Sequence, residues 1–550
     1  MRDQEKAEQT LTRLLNDEDH LTYPDFEAMW DRIEPHLPGS KEKLLPVVQQ
    51  ATGRKNVRGS VLIVAAVVLV VATPVFAAIT YNWDNYLYRN GGIQSALQQG
   101  LGQSLEKSVK QDGVNLTVHT AVVDENRTVL LFSVNAPNVK SNQLARFAEM
   151  SLKTVDGRMI EGNHRLMWDN ENKVWRGTFE AQWTPETVES DVQLLAQDLQ
   201  FYSAAEQVVP FQSSDDQLQS FDIKNDGIQR IVIQPFVQGD KILLASSVFF
   251  NQPEVKNWAS PSIGVYKGSI IVNEASHGFY GKPGEQGEYT FQQFYHAADL
   301  TDSSLIYKLL YLKKDQEVGN KWSFDLQLNK QQMVSGTIKR ELNIPIESGA
   351  GKMTLKQMVV TPTRIRIMAS HEKNQTLVFK KHRLEVDGKE IQNGNTFQQK
   401  SPEETDFYFE VPPNVKITEH TPIALVMNYE VLEHSDEKAP IILKDISTEK
   451  KTMTTQVGGF SVQWTYYKQN GDLFVQSEAA DPNFGGINQT YIIKDGKTMP
   501  GKQVTTNFTG DGNNQAIDVY KDYQEKDAAI YIYWYYTDNP DKGLRVELNR

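Results

Sequence analysis

Five large apolar side chains near the start of the chain have the types and the spacing needed to bind another protein. Phe26, Met29, Trp30, Ile33 and Leu37 follow the steps i, i+3, i+4, i+7 and i+11, which place them on one face of a helix. Fully burying each such side chain contributes roughly 1.5–3 kcal/mol, so this face favours a hydrophobic groove on a partner. We predict that it is a partner-binding site.

A second interpretation of this stripe stays open. An earlier helical stretch carries Leu11, Leu14 and Leu15, and the two helices together can form a hairpin that buries the stripe internally. Residues 1–58 are too few, and too poor in apolar residues, to build a sizeable core alone. We therefore predict a cytoplasmic helical segment over 1–58 that either docks on a partner or folds on itself.

The sequence offers no recognisable set of catalytic residues. Its ten histidines are scattered, without a His-Glu-x-x-His pair, a Gly-x-Ser-x-Gly elbow or a phosphate-binding loop. The absence of cysteine excludes disulfides, thiolate metal sites and cysteine nucleophiles. We predict that the protein is not an enzyme and that it has no cofactor and no metal site.

One long apolar run divides the chain and positions everything else. No charged residue occurs between Arg58 and Asp84, and about 20 helical residues are enough to cross the ~30 Å hydrocarbon layer of a bilayer. We predict a transmembrane helix over residues 59–81. A buried helix of a soluble core and a cleaved signal peptide are the alternatives, but signal peptides place their basic region within about the first 30 residues.

The residues that flank the run predict its orientation. Basic residues precede it and aromatic residues follow it, and this asymmetry is typical of a cytoplasmic N-terminus and an extracellular C-terminal region. We expect these side chains at the membrane interface: Arg54, Lys55, Arg58, Tyr81, Trp83 and Tyr86. The net charge of −13 argues against nucleic acid as a partner. A cysteine-free outer region suits the surface of a Gram-positive bacterium.

The region after the run contains four copies of one β pattern. Each copy starts with an alternating strand, a polar turn and a second alternating strand, beginning at Gly113, Gly227, Gly351 and Gly459. Three copies contain a further predicted hairpin around an Asp-Gly pair, which tolerates the positive φ angles of a type I′ turn. These pairs start at Asp156, Asp387 and Asp495, whereas the second copy has only "VYKGSIIV" near that place.

We interpret the outer region as four tandem immunoglobulin-like β-sandwiches, so the predicted fold class is mostly β. The predicted sandwiches span residues 113–215, 216–347, 348–447 and 448–550. Between the membrane and the first sandwich, residues 82–112 are predicted to form a helical stem. Ile93, Leu97, Leu101, Leu105 and Val109 recur there at four-residue steps. The stem is either a connector packed on the first sandwich or a mobile, protease-sensitive segment.

Two stretches make the chain resemble a family of Gram-positive membrane proteins with the domain of unknown function 4179. They are "YPDFEAMWDRIE" before the run and "GVNLTVHTAVVDENRTVLLFSVNAP" after it, and "GKMTLKQMVVTPTRIRI" is similar to the immunoglobulin-like modules that often follow. The resemblance implies an anti-sigma factor paired with an extracytoplasmic-function sigma factor. It cannot be the version with a zinc site made of one His and two Cys, because the chain has no cysteine.

Two functions fit these features. In the first, the protein is a signal-transducing anti-sigma factor of the cell membrane: residues 1–58 bind the sigma factor and the extracellular domains sense an envelope signal or ligand. In the second, the outer array is a non-enzymatic adhesive or wall-binding stalk, and the inner segment is merely a tail. The apolar stripe favours the first function.

Overall fold

The computed structural model describes Trp83, Tyr86, Leu87 and residues 90–549, except 138, 285, 349–350, 373–378, 392–395, 413–414, 436–438 and 506–513. All of these residues belong to one compact unit, Ala72–Arg550. The helical segment 1–58 and the transmembrane helix 59–81 that we predict lie outside the described residues. Within the described part of the chain, no helix is long and apolar enough to cross a bilayer.

The described chain is mostly β-structure, as predicted, and its six antiparallel sheets form four two-layer modules. Short helices lie between the strands. They are the α-helices α1 (Gly91–Gln98) and α2 (Gln331–Val334) and the 3-10 helices Pro253–Asn257 and Ala297–Leu300.

Modules 1 and 2 are built from the first sixteen strands. The strands that begin in module 1 are β1 (Gln103–Gln111), β2 (Val114–Val123), β3 (Thr128–Asn135), β4 (Leu144–Thr154), β5 (Met159–Glu161), β6 (Asn163–Asp169), β7 (Val174–Ala181) and β8 (Glu189–Val209). The strands that begin in module 2 are β9 (Gln219–Asn225), β10 (Ile228–Gln238), β11 (Lys241–Phe250), β12 (Ser262–Lys267), β13 (Ile270–Ile271), β14 (Ser276–Pro283), β15 (Tyr289–His296) and β16 (Leu305–Asn329).

Modules 3 and 4 repeat this order. The strands that begin in module 3 are β17 (Ile338–Ser348), β18 (Gly351–Val360), β19 (Arg364–His371), β20 (Phe379–Val386), β21 (Lys389–Ile391), β22 (Thr396–Ser401), β23 (Glu404–Glu410) and β24 (Ile423–Ser435). They are followed by β25 (Ile441–Leu443), β26 (Lys451–Val457), β27 (Phe460–Gln469), β28 (Asp472–Ala479), β29 (Phe484–Lys494), β30 (Lys497–Pro500), β31 (Lys502–Thr505), β32 (Asn514–Tyr520) and β33 (Ala528–Glu547).

In each module one layer is a separate five-stranded sheet. The strand orders are β1-β2-β3-β7-β6 in module 1, β14-β15-β11-β10-β9 in module 2, β17-β18-β19-β23-β22 in module 3 and β26-β27-β28-β32-β31 in module 4. The other two sheets are each shared by two modules. Their orders are β13-β12-β16-β8-β4-β5 and β21-β20-β24-β33-β29-β30, and β25 also pairs with β33.

The hairpins predicted from the four repeats are all present. Strands β2 and β3, β10 and β11, β18 and β19, and β27 and β28 pair as antiparallel neighbours. The three predicted Asp-Gly hairpins are also formed, and the second copy makes the corresponding hairpin from β12 and β13. Alternating apolar residues therefore located these strand pairs correctly.

Two of the Asp-Gly turns have the predicted conformation and one does not. Asp387-Gly388 and Asp495-Gly496 have positive φ at both residues, as a type I′ turn requires. In the first copy only Gly157 has positive φ, at 89°. The loop there has three residues, since Lys153 pairs with Met159 and the Thr154 N–H donates to the Arg158 carbonyl. Three-residue loops use one left-handed residue, so Asp156 keeps an ordinary φ.

Modules 1 and 2 exchange strands, which corrects the predicted boundary between them. Strand β8 starts in module 1, beside β4, and its last residues pair with the first part of β16 in module 2. Strand β16 starts beside β12 and then returns to module 1. There Trp322, Phe324, Leu326 and Leu328 lie in the core of module 1. These residues fall inside the segment 216–347 that we assigned to the second sandwich.

Modules 3 and 4 exchange strands in the same way. Strand β24 begins in module 3, and its last residues pair with the middle of β33, whose first residues pair with β25. Strand β33 supplies Ile530 and Ile532 to the core of module 4, and Val546 to the core of module 3, where Leu548 also lies. The last residues of the segment 448–550 therefore complete the module before it.

The predicted helical stem over 82–112 is only partly helical. Helix α1 ends at Gln98, and residues Gln103–Gln111 form β1, which pairs with β2. The helix stops in a Schellman motif: Gly100 has φ 72°, its N–H donates to the Leu97 carbonyl, and the Leu101 N–H donates to the Ala96 carbonyl. A four-residue step equals two strand periods, so Leu105 and Val109 also fit one face of β1.

Candidate functional site: the seat of helix α1

Helix α1 is buried in a hydrophobic seat on module 1. Ile93, Ala96 and Leu97 contact the outer face of β2 and β3, and Met333 of α2 closes the cluster. The full set of buried residues is Trp83, Leu87, Ile93, Ala96, Leu97, Val122, Val129, Leu131 and Met333. We call this cluster the helix seat. Strand β3 is consequently buried on both faces, because Leu130 and Phe132 point into the core of module 1.

The helix also touches module 3. A Cβ atom added to Gly92 would lie 1.8 Å from the carbonyl oxygen of Thr363, which belongs to the loop between β18 and β19. Only glycine permits so close an approach of two backbones. Helix α1 therefore contacts three parts of the protein at once: module 1, the connection that follows module 2, and module 3.

A row of polar side chains crosses the outer face of the module 1 sheet beside the seat. It runs from Glu106 on β1 through His119 on β2, Ser133 on β3 and Arg176 on β7 to Asp169 at the end of β6. Arg176 Nε lies 2.6 Å from Asp169 Oδ2. The Arg176 guanidinium also lies over the rings of Trp83 and Tyr86, at 5.1 and 5.6 Å from their centroids. These contacts hold the segment that precedes α1.

Three members of the row resemble an acid–base triad. His119 Nδ1 lies 3.0 Å from Glu106 Oε2, and His119 Nε2 lies 2.8 Å from Ser133 Oγ. Burial lowers the pKa of His119, which favours the neutral imidazole needed to accept the Ser133 proton. However, Ser133 lies in the middle of β3, paired on both sides. It lacks the strained turn that presents a nucleophile, so we interpret the row as a support for Trp83.

Modules 1 and 3 meet in a buried ion network directly beside the helix seat. Arg127, in the β2–β3 loop, is fully buried, and its Nη1 and Nη2 donate to the two carboxylate oxygens of Glu410 at 2.7 and 2.8 Å. Arg364, at the corresponding place in module 3, donates to Glu180 of module 1 at 2.7 Å. Each module thus contributes an arginine to a glutamate of the other, and we call these four residues the arginine clasp.

Charge pairing sets the electrostatics of the clasp. Burial opposes ionisation of Glu180, but the adjacent guanidinium groups of Arg127 and Arg364 lower its pKa. Burial alone would lower the pKa of Arg127, but the carboxylates of Glu410 and Glu180 raise it. The shifts of Glu180 and Arg127 both favour the charged form, and pairing is the condition for keeping such charges in a low-dielectric interior.

Neutral groups complete the contact between these two modules. Asp124 accepts the backbone N–H groups of Asn126 and Arg127 and, at 2.5 Å, the hydroxyl of Thr363 from module 3. Asn126 Nδ2 donates to the Arg364 carbonyl at 3.1 Å. The two equivalent hairpin loops of modules 1 and 3 thus face each other, and α1 lies across the Thr363 side of that contact.

The structure places two of the predicted membrane-interface residues in a different environment. Trp83 is 3% exposed, with its ring edge-on to His119 at 6.1 Å between centroids, and Tyr86 is half-buried beside it. Burial, followed by the charge of Asp169, raises the pKa of Tyr86. Both side chains therefore contact protein in the described structure. The predicted partner-binding residues and the remaining interface residues lie outside the described residues.

Sequence reasoning missed the residues of the clasp. Arg127 stands in "VVDENRTV" and Arg364 in "VVTPTRIR", and both stretches have the composition of ordinary solvated turns. The available signal was the repeat itself, since both arginines follow a Val-Val pair at the same distance. Within the residues that the structure describes, no cluster of His, Asp or Glu is arranged to hold a metal ion.

Comparison with known proteins identifies one domain. Residues 53–136 match the family described as "Domain of unknown function (DUF4179)". The match covers α1 and strands β1 to β3, and so includes Arg127 and every residue of the helix seat except Met333. This confirms the resemblance to the DUF4179 family; the immunoglobulin-like and anti-sigma parts of that resemblance stay predictions.

Other comparisons add little. No curated protein matches the chain. One solved structure to which it is similar is "The crystal structure of the conserved domain protein from Bacillus anthracis", at 9% identity. The likeness covers 44% of this chain and 94% of that chain, with a TM-score of 0.17.

Proposed function

We propose that this chain, whose residues 53–136 match the DUF4179 family, is a single-pass regulator of the Gram-positive cell membrane. Its cytoplasmic residues 1–58 bind an extracytoplasmic-function sigma factor, and its extracellular modules sense an envelope signal. The observation that supports a signalling role is the position of α1. It is the first helix described after the proposed membrane span, and it is buried against more than one module.

A shared seat makes the docking of α1 dependent on the arrangement of the modules. If modules 1 and 3 separate, Gly92 loses its contact with Thr363, and α1 keeps only its contacts with module 1 and Met333. Burial of an apolar side chain of this size contributes roughly 1.5–3 kcal/mol, so three or four of them hold the helix firmly. Reversing a 99:1 equilibrium takes about 5.5 kcal/mol, which is within the reach of a tightly bound ligand.

The immunoglobulin-like assignment of the modules belongs to the same proposal. In module 1 the order β2-β3-β7-β6 in one sheet and β4-β8-β16 in the other corresponds to strands A-B-E-D and C-F-G of an immunoglobulin domain. In this interpretation strand G of module 1 comes from β16, and strand G of module 2 comes from β8. Modules 3 and 4 follow the same scheme.

The test of the function addresses the cytoplasmic stripe. A pull-down with the full chain, and a two-hybrid assay with residues 1–58, should recover a sigma factor. Trp30→Ala should abolish that binding and raise transcription of the sigma-dependent genes, because it removes the largest apolar side chain of the stripe. Asp31→Ala, on the opposite face, is the matched control and should leave both unchanged.

The alternative outcome favours an adhesive or wall-binding stalk. In that case deleting residues 1–40 leaves transcript levels unchanged, and no sigma factor is recovered with either assay. Either result contradicts the signalling proposal.

A further inference from the structure

Modules 2 and 4 enclose a cleft between their five-stranded sheets. The two sheets touch through an apolar cluster made of Phe236, Leu243 and Phe294 from module 2 and Phe474, Ile517 and Val519 from module 4. Next to this cluster the sheets separate and leave a cavity of about 500 Å³. This volume lies within the ~300–1,000 Å³ that is usual for small-molecule sites.

The walls of this cleft are rich in amide groups. Gln234 and Gln292 line it from module 2, and Gln489 and Gln503 line it from module 4. The Nε2 atom of each glutamine donates within the protein, for example from Gln489 to the Gly501 carbonyl at 2.8 Å. Each amide therefore offers its Oε1 atom as the acceptor.

Three charged groups line the cleft, and one of them, Glu288, is half-buried. Lys502 and Lys521 are exposed, and Lys521 Nζ is paired with Asp472 Oδ2 at 2.6 Å. The rest of the lining combines the amides with three hydroxyl residues, aliphatic side chains and the rings of Phe236, Phe291 and Phe474. Among the hydroxyl and aliphatic residues of this lining are Ser247, Thr290, Val232, Ala245 and Val504.

We infer that the cleft binds a neutral, hydroxyl-rich ligand of the oligosaccharide class. Hydroxyl groups supply the hydrogen-bond donors that several amide oxygens require, and they also accept a bond from the Ser247 hydroxyl. The C–H faces of a sugar ring fit the aliphatic side chains between the amides. The lining carries charges of both signs, Glu288 and the two exposed lysines, so a ligand with a net charge of either sign meets a like charge there.

This inference deepens the proposed function and rests on it for its biological purpose. An oligosaccharide held by both walls stabilises the contact between modules 2 and 4. Because β8 and β16 join modules 1 and 2, and β24 and β33 join modules 3 and 4, the same ligand favours the arrangement in which the arginine clasp is closed. The ligand thereby favours the docked state of α1.

The test uses the purified full chain in detergent micelles and measures binding by titration calorimetry. The probes are a pentamer of N-acetylglucosamine and maltopentaose, with pentalysine and pentaglutamate as charged probes of similar length. We expect at least one neutral saccharide to bind saturably and neither charged peptide to bind. Ser247→Phe should weaken saccharide binding at least tenfold, since the new ring fills the cleft.

Ser370→Phe is the matched control. Like Ser247, Ser370 is a half-buried serine on the middle strand of its module's five-stranded sheet, but it lies in module 3 and does not line the cleft. Hydrogen exchange on the unmodified chain gives an independent measurement: the saccharide should protect amides in β11 and β31. Binding of neither saccharide, preference for a charged peptide, equal loss in both variants, or protection elsewhere overturns the inference. None of these readouts depends on sigma-factor binding, so the two proposals fail separately.

Discussion

Arg127 is the residue on which the contact between modules 1 and 3 depends most directly. Its guanidinium is fully buried and reaches two carboxylates and the Thr363 hydroxyl. A buried ion pair adds little net stability compared with an apolar pair, but removing one partner leaves a charge without compensation. The clasp therefore makes the arrangement of modules 1 and 3 specific.

Glu410→Gln tests this view of the clasp. The substitution leaves Arg127 and Arg364 to share Glu180, and we expect the free energy of unfolding to fall by about 3–5 kcal/mol in chemical denaturation. Glu404→Gln, at an exposed position of the same strand, should change it by less than about 0.5 kcal/mol. Equal effects of the two substitutions would show that Glu410 contributes no more to the free energy of unfolding than an exposed glutamate does.

Asp518 provides a pH-dependent contribution to the stability of module 4. Burial raises the pKa of Asp518 to about 7, even though Thr490 donates both its N–H and its hydroxyl to Oδ2. The folded state therefore holds a proton that the unfolded state, with an ordinary aspartate pKa near 3.9, releases. Stability consequently falls as the pH rises from about 4 to 7.

Asp518→Asn should remove this pH dependence. We expect the variant to be more stable than the unmodified chain at pH 8, by roughly 2–4 kcal/mol, and the difference to shrink toward pH 5. Denaturation curves at several pH values measure it. Asp522→Asn is the control, because Asp522 is an exposed aspartate two residues after β32. It should leave the free energy of unfolding unchanged at both pH 8 and pH 5. A pH-independent difference for Asp518→Asn would contradict the assignment.

At the scale of single elements, α1 shows what the sequence predicted and what it did not. The apolar stripe correctly indicated a packed helix at Ile93 and Leu97. The predicted continuation to residue 112 is wrong, because the four-residue step fits strand and helix equally well. Two local signals decide the matter: Gly100 ends the helix, and Asp112-Gly113, both with positive φ, turns β1 into β2.

The hairpins were predictable because their signals are local, whereas the exchanged strands were not. Trp322, Phe324, Leu326 and Leu328 alternate as any strand residues do, and their alternation is the same whichever core they enter. In the candidate site, Trp83 and Tyr86 stood out from the sequence, but aromatic residues after an apolar run suit a bilayer interface and a protein core alike. In the folded protein both rings contact Arg176, which lies far away in the sequence.

Gly92→Ala tests the seat of α1. The methyl group would overlap the Thr363 carbonyl, so the helix must leave its seat or modules 1 and 3 must move apart. We expect faster hydrogen exchange and faster proteolysis over residues 91–101. Gln98→Ala, at an exposed position of the same helix, should leave both rates unchanged or lower them slightly. Unchanged rates in Gly92→Ala would refute the shared seat.

At the scale of the molecule, the modules are stable in pairs. Each of the strands β8, β16 and β33 contributes side chains to two hydrophobic cores. The apolar cluster around Phe236 and Phe474 joins modules 2 and 4, as the clasp joins modules 1 and 3. A disturbance at one pair therefore reaches the other through two separate contacts.

Removal of residues 543–550 tests the exchange in modules 3 and 4. These residues supply Val546 and Leu548 to the core of module 3, so we expect amide protection to fall in β20 and in the first part of β24. Amides of β28, in the covalently nearer module 4, should stay protected, because the core of that module uses the first part of β33. Loss of protection confined to module 4 would contradict the exchanged arrangement.

The crossing strands also constrain how such a protein can change in length over evolution. A gene segment that encodes one module alone would produce a sandwich lacking its final strand and a neighbour with an orphaned one. Duplications and deletions that preserve folding must therefore add or remove two modules at once, and chains of this design are expected to contain an even number of them.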